Sequence, residues 1–205
     1  MSALIVIAKA PVAGRVKTRL CPPCTPAEAA ALAEAALRDT LAAMAATPAR
    51  RRVVALDGPA GDWLPDGFEV VEQRGNGLAE RLAGAFADVG GPGLLVGMDT
   101  PQVTSGLLAA GLRRLDEVDA VLGRSADGGY WAIGLRASDA RVFAGVAMST
   151  PRTGAAQLAR LRALGLQVAE LPTLIDVDTI ADARAVAAGA PHTRFARTLS
   201  LPRAA

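Results

Sequence analysis

The first apolar stretch of the chain limits its fold most. Residues 3–8 read ALIVIA, an unbroken run with no polar residue in it. A strand with one wet face alternates apolar and polar side chains. An unbroken run suits a strand buried on both faces, as in a sheet with helices on each side. The run ends abruptly in KAPVAGRVKTR, which puts Lys9, Arg15, Lys17 and Arg19 within eleven residues around Gly14. A buried first strand that opens into a basic, glycine-containing loop is the opening of a nucleotide-handling α/β domain. Glycine lets backbone approach a ligand closely, and the cations neutralise phosphate. A solvated basic loop is the plainer alternative, although a loop directly after a buried strand is a poor place for idle charge.

The pattern continues along the chain. Thr25-Pro26-Ala27-Glu28 is a capping box with proline at the first helical position, so a helix is predicted to about residue 46. Its inward face would carry Leu32, Ala36, Leu37, Leu41 and Met44. Further strands are predicted over residues 53–56, 68–72, 93–97, 120–123, 130–135 and 167–171. Helices are predicted over 78–89, 104–115, 154–164 and 179–188, the first of these inward through Leu82, Ala85, Phe86 and Val89. Alternating strands and helices predict an α/β fold with a largely parallel sheet covered on both faces. Residues 1–190 read as one domain, and residues 191–205 as a basic, loosely ordered tail.

Composition removes several function classes. Aromatic residues are 3% of the chain, too few for a base-stacking platform, and a net charge of +2 is too small for a polyanion partner, so nucleic acid is not expected. The N-terminal apolar run is too short for a signal peptide or a membrane span, and the protein reads as cytoplasmic. Cys21 and Cys24 form CPPC, but with His192 they make three potential zinc ligands where four are needed. A stiff Pro-Pro turn with two incidental thiols is the simpler account, with thiol redox chemistry as a minor alternative. With His192 alone in the tail, no Ser-His or Cys-His pair is available for nucleophilic catalysis.

In open α/β sheets ligands sit beyond the carboxyl ends of the strands, and three loops there look chemical: residues 9–19, 98–101 and 124–129. The basic loop is neither a Walker A loop, since Gly14 lies three residues before Lys17, nor a dinucleotide fingerprint. GMDTP places Asp99 at the end of a buried strand, where it could hold a phosphate-bound metal or form an Asx-turn or helix cap ahead of Pro101. Asp176 and Asp178 alternate on an extended segment and share a face. Asp178 could instead stabilise the dipole of the helix that Thr179 caps. SADGGYW is either a hairpin turn at Asp127 or a loop offering Asp127 and backbone N–H groups to a substrate. EQRGNGL lacks the third glycine of a dinucleotide site, but Gln73 and the glycine backbone could read a base edge.

Taken together, AKAPVAGRVKTRL, QRGNGLAERL, GMDTP, ADGGYWAIGL and DVDTIADA resemble, in this order, a bacterial family of nucleotide-diphospho-sugar transferase-like proteins described as glycosyltransferase-A-like. The resemblance runs from about residue 5 to residue 188. It is more distant to molybdenum-cofactor guanylyltransferase and 2-phospholactate guanylyltransferase. It implies a three-layer, mostly parallel mixed sheet with helices on both faces, and a nucleotidyl or glycosyl transferase that uses Mg²⁺ or Mn²⁺. The partners would be a nucleoside triphosphate or nucleotide sugar and a small-molecule acceptor, with the oligomeric state open and a homodimer among the options. By motif, Ala8, Lys9, Gly14, Arg15, Lys17 and Arg19 would surround the donor, Lys17 and Arg15 acting on its phosphates. Gln73 and Gly77 would lie near the base. Asp99 would hold the metal, with Asp178 as second ligand and Asp176 as its nearby substitute. Asp127, Gly128, Gly129 and Tyr130 would line the acceptor side. Two departures stand out: the first loop lacks the two-glycine spacing of sugar-nucleotide pyrophosphorylases, and GMDTP is not a D-x-D. A non-catalytic nucleotide-binding module is the alternative of a different class.

Overall fold

The computed structural model describes residues 2–200. Strands β1 (Ala3–Lys9), β2 (Arg51–Asp57), β3 (Glu69–Glu72), β4 (Gly93–Gly97), β5 (Ala120–Ser125), β6 (Tyr130–Leu135) and β7 (Val168–Leu174) form one sheet in the order β3-β2-β1-β4-β6-β5-β7. Neighbours pair in parallel except β6, which runs antiparallel to both β4 and β5. This is the α/β fold, and the mixed, mostly parallel sheet, that the sequence predicts.

The helices are α1 (Pro26–Ala45), α2 (Leu78–Val89), α3 (Ser105–Glu117), α4 (Thr153–Ala163), α5 (Ile180–Gly189) and α6 (Arg194–Leu199). β1 alternates its allegiance by side chain. Leu4 and Val6 face a core shared with α1 and α3, whereas Ala3 and Ile5 face one shared with α2, Phe143 and α4. Both cores are dry, which is why the run shows no polar residue. The predicted capping box is present at Thr25–Glu28 on α1, and Thr179, expected as a cap, forms a second one with Asp182 on α5.

Three features depart from expectation. First, α1 buries two faces. Leu37, Leu41 and Met44 meet the sheet, while Leu32 and Ala36 join Val177, Ala183, Val186 and Phe195 in a separate cluster against α5 and α6. Second, the tail is not loose over its described part. Thr193 caps α6, Phe195 is buried, and Asp39 of α1 accepts from the Arg194 and Phe195 N–H groups at 3.0 and 2.9 Å. Apolar surface on the outside of α1 gives the tail something to bury. Residues 201–205 lie outside the described residues. Third, β7 extends through Pro172, which only an edge strand accommodates, because its lost N–H would face no partner.

Candidate active site

The carboxyl ends of β1, β4, β5 and β7 and the amino end of β6 border one open cleft of about 830 Å³, within the usual size of a small-molecule site. Ala8 and Lys9 enter it from β1. Beyond them, Ala10 N–H donates to the Asp57 carbonyl at 2.9 Å and Arg15 N–H to the Val12 carbonyl at 3.0 Å. Gly14 closes that turn at φ +78°, the conformation that the third residue of such a turn requires and that glycine adopts without strain. The turn leaves Lys9 and Arg15 exposed on the cleft wall.

Lys17 does the opposite. Its backbone is left-handed (φ 49°, ψ 33°), ahead of a 3-10 turn over Thr18–Leu20. Its side chain is only 8% exposed; Nζ lies 2.7 Å from Asp99 Oδ1 and also donates to the Val177 carbonyl. Lys17 thereby joins the basic loop to the ends of β4 and β7. Arg19 pairs with Asp178.

Asp99 is not a helix cap. That position is taken by Thr104, whose Oγ1 accepts from Leu107 N–H at 3.2 Å, so the Asp99 carboxylate is left to the cleft. Its backbone carbonyl accepts from Val177 N–H at 3.0 Å, which brings the 176–178 segment alongside. Asp176 lines the cleft and its carboxyl is pushed up to about 7, first by burial and then by the charge of Asp99. Lys17 opposes the rise, and Asp127 and Asp178 add to it. These carboxylates therefore feel one another around a single buried ammonium.

The donor set fits a hard divalent cation. Asp99 Oδ1 is fully buried, and Lys17 meets it as a charge rather than along a hydrogen-bond direction. Among the described residues no group of three or more His, Cys, Asp or Glu could hold a metal unaided.

The opposite wall comes from the β5–β6 hairpin, where SADGGYW is the hairpin turn and its Gly128 and Gly129 N–H groups are taken up within it, by the Ser125 carbonyl and Asp127 Oδ1. Asp127 Oδ1 accepts from Gly129 N–H at 2.9 Å, and Ser125 N–H donates to the Gly129 carbonyl at 3.0 Å, so the segment is a turn. Asp127, Gly129 and Tyr130 also line the cleft. The tip presses on the segment before α4: Gly154 N–H donates to the Gly128 carbonyl at 2.8 Å. A Cβ on Gly128 would lie 1.9 Å from the Pro151 carbonyl oxygen. Tyr130 donates to Gln157 Oε1 at 3.4 Å, and burial holds its phenol well above the ordinary value.

One expected role meets a competing use. Gln73 borders the cleft, but its amide nitrogen donates to the Ala8 and Ala55 carbonyls at 2.8 and 2.9 Å. It ties the end of β3 to β1 and β2, so both amide hydrogens are spent on backbone. Gly77 remains on the cleft wall. The sequence reading missed the Asp57–Arg81 ion pair at 2.9 Å and the wall formed by Ser149, Thr150 and Thr153. Both depend on contacts between distant segments, as does the lack of room for a Cβ on Gly154 against the Gly129 carbonyl. Cys24 is buried in the cluster with α5 and α6, with Cys21 packed against it, and His192 is exposed; none of the three lines the cleft. No helix among the described residues is long and apolar enough to cross a membrane.

Solved structures share this architecture. A protein of Desulfovibrio desulfuricans G20, described as a candidate nucleotide-diphospho-sugar transferase, is 28% identical with a TM-score of 0.86, over 98% of this chain and 94% of that one. Rv0371c of Mycobacterium tuberculosis H37Rv, solved with manganese, is 24% identical with a TM-score of 0.54, over 91% and 97%. The 2-C-methyl-D-erythritol 4-phosphate cytidylyltransferase of Thermus thermophilus is 18% identical with a TM-score of 0.56, over 93% and 100%. No curated protein matches the chain. Residues 29–150, more than half of the sequence, match the family described as "uncharacterized protein conserved in bacteria". The chain thus belongs to the DUF2064 family, and its fold is that of the nucleotide-diphospho-sugar transferases.

Proposed function

We propose that the protein is a divalent-metal-dependent transferase that takes a group from an activated nucleotide, either a nucleoside triphosphate or a nucleotide sugar, and passes it to a small acceptor. The observation that carries this reading is the convergence of Lys17, Asp99 and Asp176 on one open cleft at the strand ends, with Lys9 and Arg15 on its rim. The relatives point the same way: one is described as handling nucleotide-diphospho-sugars, one was solved with manganese, and one is a cytidylyltransferase.

In this reading Asp99 and Asp176 hold the metal, and Asp178 orients Arg19 through their ion pair. The metal, when bound, neutralises charge on the phosphate oxygens. Lys9, Arg15 and Lys17 bind the donor phosphates and stabilise negative charge on the leaving group. The Asp127–Tyr130 turn and the Ser149–Thr153 segment hold the acceptor. In nucleotidyl transfer, an acceptor oxygen bonds to the α-phosphorus and pyrophosphate departs with the electron pair of the broken P–O bond. In glycosyl transfer, the acceptor oxygen bonds to the anomeric carbon and a nucleoside diphosphate departs. Neither route needs a covalent nucleophile.

The test is a calorimetric screen of nucleoside triphosphates and sugar nucleotides with Mg²⁺ or Mn²⁺. At least one should bind, and the product, pyrophosphate or nucleoside diphosphate, then separates the two transfers. Asp99→Asn should lower turnover by about 100-fold or more. If no nucleotide binds, the reading fails. Metal-dependent affinity that survives in Asp99→Asn would instead favour a non-catalytic nucleotide-binding module.

A further inference from the structure

Lys17 is placed in a way that phosphate binding alone does not require. A cation whose whole task is to meet a donor phosphate belongs on the cleft wall, where Lys9 and Arg15 are. Lys17 turns inward, through a backbone conformation that residues with a Cβ avoid. Its ammonium lies between Asp99 Oδ1 and the Val177 carbonyl, with little exposure to solvent. The carboxylate best placed to take a metal already has a cation of the chain against its buried oxygen. Asp176 senses both partners of that pair.

We infer that Lys17 is a resident counter-ion of Asp99, which makes the cleft reject a free divalent cation and accept one only together with a polyphosphate. This rests on the transferase reading above. A lone cation reaching Asp99 would push the ammonium off its carboxylate and leave it enclosed beside the new positive charge, with the Val177 carbonyl as its hydrogen-bond partner, which is unfavourable for a buried charge. A polyphosphate arriving with the cation supplies anionic oxygens that receive the displaced ammonium. The exchange conserves charge pairing: Lys17 passes from Asp99 to phosphate as the carboxylate passes from Lys17 to the metal.

Titration of MnCl2 into nucleotide-free protein, followed by the electron paramagnetic resonance of unbound Mn²⁺, tests this directly. Lys17→Met and Lys17→Gln should bind Mn²⁺ at least about 10-fold more tightly than wild type, the gain expected when a competing buried charge is removed. Lys17→Gln keeps a donor for the Val177 carbonyl, so one variant remains if Lys17→Met does not fold. Arg15→Gln removes a charge from the same cleft and should give less than a third of that gain. In equilibrium dialysis, inorganic tripolyphosphate should raise the Mn²⁺ retained by wild type but not by the Lys17 variants. Equal Mn²⁺ affinity in wild type and both Lys17 variants would overturn the inference, and so would an Arg15→Gln gain as large as theirs. The two readings fail separately. If the Lys17 variants gain affinity but no nucleotide binds wild type, the counter-ion role stands and the transferase reading falls. If nucleotides bind but the Lys17 variants gain nothing, the reverse holds.

Discussion

Asp176 shows how one residue acquires its character from segments far away in the chain. Its neighbours in sequence, Ile175 and Val177, say nothing of a raised pKa. Burial and the approach of Asp99 push it up to about 7, against an ordinary 3.8. A carboxyl whose folded pKa lies above its unfolded one binds its proton more tightly in the folded state. The stability it contributes is complete below about pH 4 and lost as the pH rises through 7. Metal-free Asp176→Asn should therefore match wild type near pH 4 and exceed it at pH 8 by on the order of 2 kcal/mol. Urea unfolding at the two pH values measures this; equal unfolding midpoints at pH 8 would mean that Asp176 is not strained by its neighbours. The sequence places Asp99 at a strand end and Asp176 and Asp178 on one face, and the family resemblance groups the three as metal ligands. It does not show that Arg19 engages Asp178 while Asp99 takes Lys17, because side-chain pairing depends on distances of a few ångströms between loops.

At the scale of elements, the hairpin between β5 and β6 and the start of α4 act as one wall. Gly128 sits at φ +91° with Pro151 against the place of a Cβ, whereas Gly14 has a similar φ in open space. The pair separates two costs. Gly14→Ala should lose about 1 kcal/mol, the cost of the backbone conformation alone. Gly128→Ala must also part the hairpin from the 149–154 segment, and should lose at least about 2–3 kcal/mol and weaken acceptor binding. Thermal melts compare the two directly, and equal losses would show that the wall yields freely. Helices and strands were readable at this scale because each carries its own period and caps: α2 and β4 lie where the pattern puts them. β7 ran longer than its pattern because position at the edge, not local sequence, is what tolerates Pro172.

The whole molecule has more layers than its sheet needs. Outside α1 lies a second small core, in which Phe195 of α6 is buried against Leu32, Ala36 and Val186. No residue of α6 lines the cleft. Phe195→Ala should therefore lower stability by about 3–5 kcal/mol, as for other buried aromatics, and leave nucleotide affinity unchanged. Chemical denaturation and the calorimetric titration together check both halves. A Phe195→Ala protein as stable as wild type would mean that α6 contributes nothing to the fold.

What was readable from residue order was whatever local physics enforces. An apolar run with no alternation suits a strand buried on both faces, a capping box starts a helix, and four cations beside a strand end suit a loop for anions. Those rules place β1, α1 and the basic loop without reference to the rest of the chain. Residue order does not encode which cation turns inward. The difference between Lys17, enclosed against Asp99, and Arg15, exposed on the cleft wall, arises when β4 and the segment after β7 come to rest beside the loop. The same holds for the tail, whose order depends on apolar surface that α1 presents only once it is folded. Contacts between segments far apart in the chain leave no local trace, and at this site they set the charge pairing.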